Sequence, residues 1–189
     1  MLLPRLALLD ERIRDVARQT AKLLKDLPQN ADPNGNAREH RDVDLLLSLP
    51  GLGQTIASTI LAEAARPIRE RDYDPLRCYA GSAPVTKQSG KRRMVSMRRA
   101  CSDRVRQAVF HWSGRSIMID SRSRQHYDRL RAAGHGHARA LRGVGDRLLA
   151  VLTAILQSGK PYDASLRGPT SLTKRAVPLN ATCNKMGKH

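Results

Sequence analysis

The sequence predicts a mainly α protein: an N-terminal heptad helix, then a compact helical domain holding a helix-hairpin-helix and one short β-hairpin or extended loop. Three observations lead there. Aromatic residues make up only 3% of the chain, with one Trp and one Phe, so a core must be assembled from Leu, Ile, Val and Ala. Apolar residues recur at three- and four-residue intervals near the N-terminus, over 98–119 and over 137–157, the repeat of a helix with one buried face. The helical period is lost over 83–97, where β-branched and polar residues flank a Ser-Gly pair.

Taken in order, Leu2, Leu6, Leu9, Ile13, Val16, Thr20, Leu23 and Leu27 alternate at spacings of four and three, the seam of a heptad helix over 1–27. Asp10, Glu11, Arg12, Arg14, Asp15, Arg18, Lys22 and Lys25 fall between them, where they face water. Such a seam either packs on its own domain or pairs, as a coiled-coil arm, with another helix. A homo-oligomer joined through this helix is the expectation from the second case. Pro4 sits in the first turn, where a missing N–H costs nothing. Residues 28–41 are rich in Pro, Asn, Asp and Gly and read as a linker loop. A short helix starts at Asp42 and runs to Leu49, ahead of the stretch LPGLGQTIASTILAE.

Residues 83–97, APVTKQSGKRRMVSM, read as a hairpin or extended loop with Ser89-Gly90 at or near its tip. Helical spacing returns over 98–119, where Ala100, Val105, Ala108, Val109, Trp112 and Ile117 share a face. A further short helix ends at Gly134. A long one runs from about His137 to about Gln157, with Ser158-Gly159 as its stop and Pro161 beyond. The domain closes at Asp163, and residues 164–189 have no period and scattered charge, so a disordered tail is expected.

Lys and Arg number 34 against 17 acids, a formal charge of +17, and the isoelectric point is near 11.0. The excess is mostly arginine, whose planar fork matches phosphate. A polyanion, most simply nucleic acid, is the implied partner. Arg98, Arg99, Arg104, Arg106, Arg122, Arg124, Arg129, Arg131, Arg139 and Arg142 would repel one another without it, although as a solvated face they need no function. Cys78, Cys101 and Cys183 form no CxxC pair and no even framework, so neither a disulfide nor a zinc site is expected. The chain has no 18-residue apolar run, no signal-peptide pattern at its start and no basic amphipathic helix with a bulky apolar face. No membrane partner is expected, and a reducing, cytoplasmic setting is.

Two stretches carry chemistry. Leu46, Leu49, Pro50, Gly51, Leu52, Gly53, Ala57, Ile60 and Leu61 fit a helix-hairpin-helix DNA-binding motif spanning 45–61. Gly51 and Gly53 permit positive φ and remove Cβ atoms, so that backbone can approach a phosphate. The unpaired N–H groups that open the second helix, at Gln54 and Thr55, favour an anion. Contacts of this kind position a duplex without reading its sequence. The alternative is a helix–helix corner that uses glycine for close packing.

The second stretch is YAGSAPVTKQSGKRR, Tyr79 to Arg93. With LPGLG at 49–53, YAGSAP at 79–84, QSG at 88–90 and GKPYD at 159–163, residues 42–163 resemble the C-terminal domain of DEDD insertion-sequence transposases, bacterial recombinases guided by a bridge RNA. The resemblance implies DNA, and a guide RNA, as partners. It also implies that Ser89 is the nucleophile on DNA, with Lys87, Lys91, Arg92 and Arg93 neutralising charge at phosphorus and Gly90 leaving room for the strand. Arg98 and Arg99 would add DNA contacts, although many relatives carry a Lys-Arg-Gly-Asn turn where Arg98-Arg99-Ala100-Cys101 stands here.

Family members also carry an upstream RuvC-like domain whose Asp/Glu/Asp/Asp carboxylates hold magnesium. No such pattern is visible in this sequence. Asp72 and Asp74 read as loop residues, and Asp103 and Asp120 are scattered among arginines. The expectation is therefore a truncated transposase with no metal or cofactor site of its own, magnesium belonging to the RuvC-like domain. It would bind nucleic acid and oligomerise but not recombine DNA unaided, which leaves its status as an enzyme open. Gly134-His135-Gly136-His137 reads as a helix-entry loop. A non-enzymatic helix-hairpin-helix module and an RNA-binding accessory protein are the rival readings.

Overall fold

The computed structural model describes residues 2–26, 42–89 and 92–163. The linker expected over 28–41, the tail expected over 164–189, and Leu27, Gly90 and Lys91 lie outside the described residues. The fold is mainly helical, as expected. Its elements are α1 (Leu2–Asp26), α2 (Asp42–Leu47), α3 (Gln54–Glu63), α4 (Ala65–Glu70), α5 (Tyr73–Tyr79), β1 (Val85–Ser89), β2 (Arg92–Ser96), α6 (Asp103–Ile119), α7 (Ser121–Ala132) and α8 (His137–Ser158).

The heptad spacing of α1 does not serve this chain's own core. Leu24 near its C-terminal end is buried and α1 packs against α3. Leu6, Leu9, Ile13, Val16 and Leu23 of the seam stay between 58% and 68% exposed. Arg14 pairs with Asp10 and Arg18 with Asp15 one turn away on the surface.

The body is organised by α6 and α8, which cross closely. A Cβ on Gly145 of α8 would sit 2.8 Å from both Ser113 Oγ and Val109 Cγ1 of α6, so only glycine admits this separation. Val105, Val109, Trp112, Val144, Leu148, Leu149, Leu152 and Leu156 fill the space between these helices and α2, α3 and α5. Trp112, the single tryptophan, is fully buried. Its indole N–H donates to the Pro50 carbonyl at 3.0 Å, and the Ser116 hydroxyl donates to the same oxygen at 2.8 Å. A buried aromatic with a polar edge thus fastens the α2–α3 corner to α6.

Two ion pairs add to this frame. Arg71 ends α4 in the left-handed region (φ 52°) and bonds Asp42 at 2.8 Å, both side chains being largely buried. Its carbonyl accepts from Gln157 Nε2 at 2.8 Å. Arg77 of α5 grips Asp146 of α8 through two nitrogens, at 3.1 and 2.9 Å. Tyr73 lies beneath that guanidinium, 5.0 Å from ring centroid to Cζ. Burial, and then the nearby Asp146 carboxylate, pushes its phenol well above the ordinary value.

Two sequence expectations change. Residues 65–70 and 73–79 form α4 and α5, so Asp74 is helical rather than a loop residue, while Asp72 stays extended just before α5. Asp72 caps α5 by accepting from the Asp74 N–H at 3.1 Å, and Asp74 lies in the first turn. The helix expected from 98 starts at Asp103, because Ser102 caps it by accepting from the Val105 N–H at 3.4 Å; Ala100 is left exposed outside it. Cys101 is free.

The expected stop of the last helix is present. Gly159 takes φ 69° and its N–H closes on Ile155 O at 2.9 Å. The chain then turns back, and the Tyr162 N–H donates to Ser48 Oγ at 2.9 Å, which ties the closing GKPYD stretch to the α2–α3 corner.

The double anchor on Pro50 leads to a graded loss of stability. Ser116→Ala removes one donor and should cost about 1 kcal/mol. Trp112→Phe removes the other and leaves unfilled volume, for roughly 1–3 kcal/mol. Urea denaturation of the two variants measures both.

Candidate nucleic-acid interface

The α2–α3 corner is built from the inside. Leu45, Leu46, Leu49 and Leu52 are buried, and turn bonds from Leu49 N–H to Leu46 O and from Leu52 N–H to Leu49 O hold the chain between the helices. The two glycines have different surroundings. Gly51 has φ +78°, and a Cβ there would meet Ser116 N and Oγ at 2.9 Å, so its open side is occupied by α6. Gly53 is the N-cap of α3, with extended φ of −87° and no capping side chain. It is exposed, and nothing lies within 4 Å of the position a Cβ would take. Gln54 and Thr55 follow it, also exposed. The corner therefore packs through one glycine and offers an open helix N-terminus through the other.

The YAGSAP stretch leads from α5 into the hairpin. Gly81 takes φ +73° with Cys101 Sγ 2.8 Å from its would-be Cβ, which brings the two feet of the hairpin together. β1 and β2 pair antiparallel in the register Val85–Ser96, Thr86–Val95, Lys87–Met94, Gln88–Arg93, Ser89–Arg92. Ser89 ends β1 directly across from Arg92. Because side chains alternate along a strand, Lys87 shares the Ser89 face. Lys87, Gln88, Ser89 and Arg92 are all exposed. The strands pack mainly on each other, and no extensive packing joins them to a helix among the described residues. The loop residues Gly90 and Lys91 and the side chain of Arg93 lie outside what is described.

Arg98 and Arg99 lie on the connector from β2 to α6. Arg99 is exposed, while Arg98 is half-buried with its Nε sequestered and without a hydrogen-bond partner. Other arginines are neutralised locally: Arg104 by Glu63 at 2.7 Å, Arg106 by Asp103 at 2.7 Å, Arg124 by Asp128 at 3.1 Å. The carboxylates have structural work of their own. Asp120 caps α7 by accepting from Ser123 N–H at 2.9 Å and Ser123 O–H at 2.6 Å. Among the described residues no three His, Cys, Asp or Glu side chains converge as metal ligands. His137 is engaged by the Tyr127 hydroxyl at 2.7 Å. No helix among the described residues is long and apolar enough to cross a membrane.

Sequence reading missed His126 and Arg147, which line an open polar cavity between α7 and α8 together with Arg122, Gln125 and Arg129. The spacing of 122, 125, 126 and 129 places four of these on one helical face, but only the packing of α8 adds the fifth.

Residues 43–128 match the family described as "Transposase IS116/IS110/IS902 family". This segment is similar to the transposases of that family. It contains the α2–α3 corner, the hairpin and all of α6. Three insertion-element proteins are similar over a longer stretch. A protein of the IS117 mini-circle of Streptomyces coelicolor, whose name carries the word transposase, is 37% identical over 127 residues, 67% of this chain and 31% of its own length. An IS900 protein of Mycobacterium paratuberculosis is 32% identical over 127 residues, 66% of this chain and 32% of its own. An IS110 protein of Streptomyces coelicolor is 30% identical over 137 residues, 72% and 34%. The chain thus spans about a third of the length of these curated relatives.

The unequal surroundings of the two corner glycines separate stability from binding. Gly51→Ala puts a Cβ at positive φ against α6 backbone and should cost more than about 1 kcal/mol. Gly53→Ala should leave the thermal midpoint nearly unchanged and weaken binding to duplex DNA instead. Parallel melting and fluorescence-anisotropy titrations check the contrast.

Proposed function

We propose that this chain carries the C-terminal DNA-engaging domain of a DEDD insertion-sequence transposase and that Ser89 is its nucleophile in strand transfer. The observation that carries the proposal is the placement of Ser89. It ends the first strand of a projecting hairpin, exposed, with Lys87 on its face and Arg92 across the ladder. A hydroxyl held there can reach a phosphodiester, and two cations stand close to where charge builds on phosphorus.

The reaction conserves phosphoester bonds. Ser89 Oγ loses its proton and forms a bond to phosphorus, the bond from phosphorus to one sugar oxygen breaks, and that oxygen leaves with a proton. A sugar hydroxyl of another strand then attacks the phosphoserine, which restores a DNA linkage and frees Ser89. No nucleotide is consumed. On this reading a base of the assembled recombinase accepts the Ser89 proton. The magnesium chemistry expected from the family belongs to a RuvC-like domain.

DNA is the substrate on this reading, and its backbone is held by the open N-terminus of α3, by the hairpin cations and by Arg99. A guide RNA is the second nucleic acid implied, because its phosphates suit the same arginine-rich surface. The exposed seam of α1 joins copies of the chain: Leu6, Leu9, Ile13, Val16 and Leu23 repeat at heptad spacing with no cover from the body. A second reading, a DNA-binding module without chemistry, draws on the exposed α3 N-terminus alone.

Ser89→Ala decides between them. In a strand-transfer reaction reconstituted with the RuvC-like domain, it should abolish the covalent protein–DNA product while leaving DNA affinity within about twofold. Full activity of the variant would remove the nucleophile and leave the binding module. For the seam, sedimentation of the intact chain should show a concentration-dependent oligomer that Ile13→Asp converts to monomer; a wild-type monomer would refute the association.

A further inference from the structure

The five residues between α7 and α8 make a second cationic site, remote in sequence from the hairpin. Arg122, Gln125, His126 and Arg129 come from α7 and Arg147 from α8, around an open cavity of about 290 Å³ with a polar lining. No carboxylate lines it. The arrangement is selective within one helix, since Arg124 is already matched by Asp128 on the same helix, whereas Arg129 turns back to His126 Nδ1 at 2.9 Å. Arg129 and Arg147 are exposed, and two guanidiniums from different helices facing one open cavity create a positive field that attracts an anion.

We propose that this cavity holds a phosphodiester group of a bound nucleic acid strand, and that Arg129 and Arg147 are its two principal ligands. Their forks reach the non-bridging oxygens from two different helices, with the Gln125 amide as a neutral donor. Two helices set at a fixed crossing hold the cations at a fixed spacing, so the site orients the strand as well as attracting it. The behaviour of His126 is in keeping with an uncompensated positive field: burial first, and then the charges of Arg147 and Arg129, lower its pKa below the usual imidazole value. The site is independent of the Ser89 reading, because it requires only that the chain bind nucleic acid.

The salt dependence of binding by the full chain tests it. Affinities for an arbitrary-sequence DNA duplex and for a stem-loop RNA are measured over a range of salt concentrations. Each phosphate contact contributes about 0.9 to the slope of log K against log salt on duplex DNA, and about 0.7 on single strands. Arg129→Gln with Arg147→Gln should reduce the slope by about 0.7–0.9, the contribution of one phosphate, on at least one of the two nucleic acids. The one that responds identifies the source of the phosphate, and a response from both indicates recognition of backbone alone. Arg124→Gln, whose charge is already matched, should leave both slopes unaltered.

Unchanged slopes for the double variant on both nucleic acids would overturn the site, and so would an equal fall for Arg124→Gln. The ring resonances of His126 in the unmodified chain give an answer even if the double variant does not fold. They should shift on addition of the responding nucleic acid, and their failure to move with either one would also overturn the proposal. These readouts measure binding only, so they stay informative whatever Ser89→Ala does to strand transfer.

Discussion

One carbonyl oxygen does much to hold this fold together. Pro50 lies in the middle of the α2–α3 corner, where its carbonyl oxygen, with two lone pairs, can take two donors from α6. It accepts from the Trp112 indole and the Ser116 hydroxyl, neighbours one turn apart on α6. Left without them in a dry interior, that oxygen would carry a large desolvation cost. With them, the corner can sit only one way on α6, and Gly51 must lack a side chain because Ser116 occupies its space.

That constraint propagates outward. Fixing the corner fixes the first turn of α3, whose N-cap at Gly53 faces open space. It also fixes α6, on which α3, α7 and α8 pack. Tyr162 returns to Ser48 in the same corner, so the end of the described chain is clamped to the point where the domain begins. The Arg77–Asp146 and Arg71–Asp42 pairs brace the edges of this frame with partly buried charge. They secure position more than they add stability, since each ion gives up hydration to reach its partner.

The positive charge is divided by the same frame. Arginines beside an acid one helical turn away, such as Arg124 and Arg106, are neutralised in place. Those brought together by different elements, such as Arg129 and Arg147, are not. A net charge of +17 is therefore concentrated at particular places.

The sequence alone determined the helical class, because its aliphatic residues recur at helical intervals. It also determined the hairpin with Ser89 at its end, because β-branched residues around Ser-Gly have few other conformations, and the last helix with its Gly159 stop, because a left-handed cap favours glycine. Local rules govern all of these. The helices over 65–79 were not legible: they are short, and their formation rests on the Asp72 cap and on Leu76 finding the core. Tertiary packing alone decided which corner glycine faces protein and which faces solvent, since both carry the same local signal and only the approach of α6 distinguishes them. It likewise decided that the heptad seam of α1 stays uncovered, and that Arg147 joins an arginine face from another helix. A one-dimensional pattern records which side of an element is apolar or charged; what that side meets depends on how separate elements pack in three dimensions.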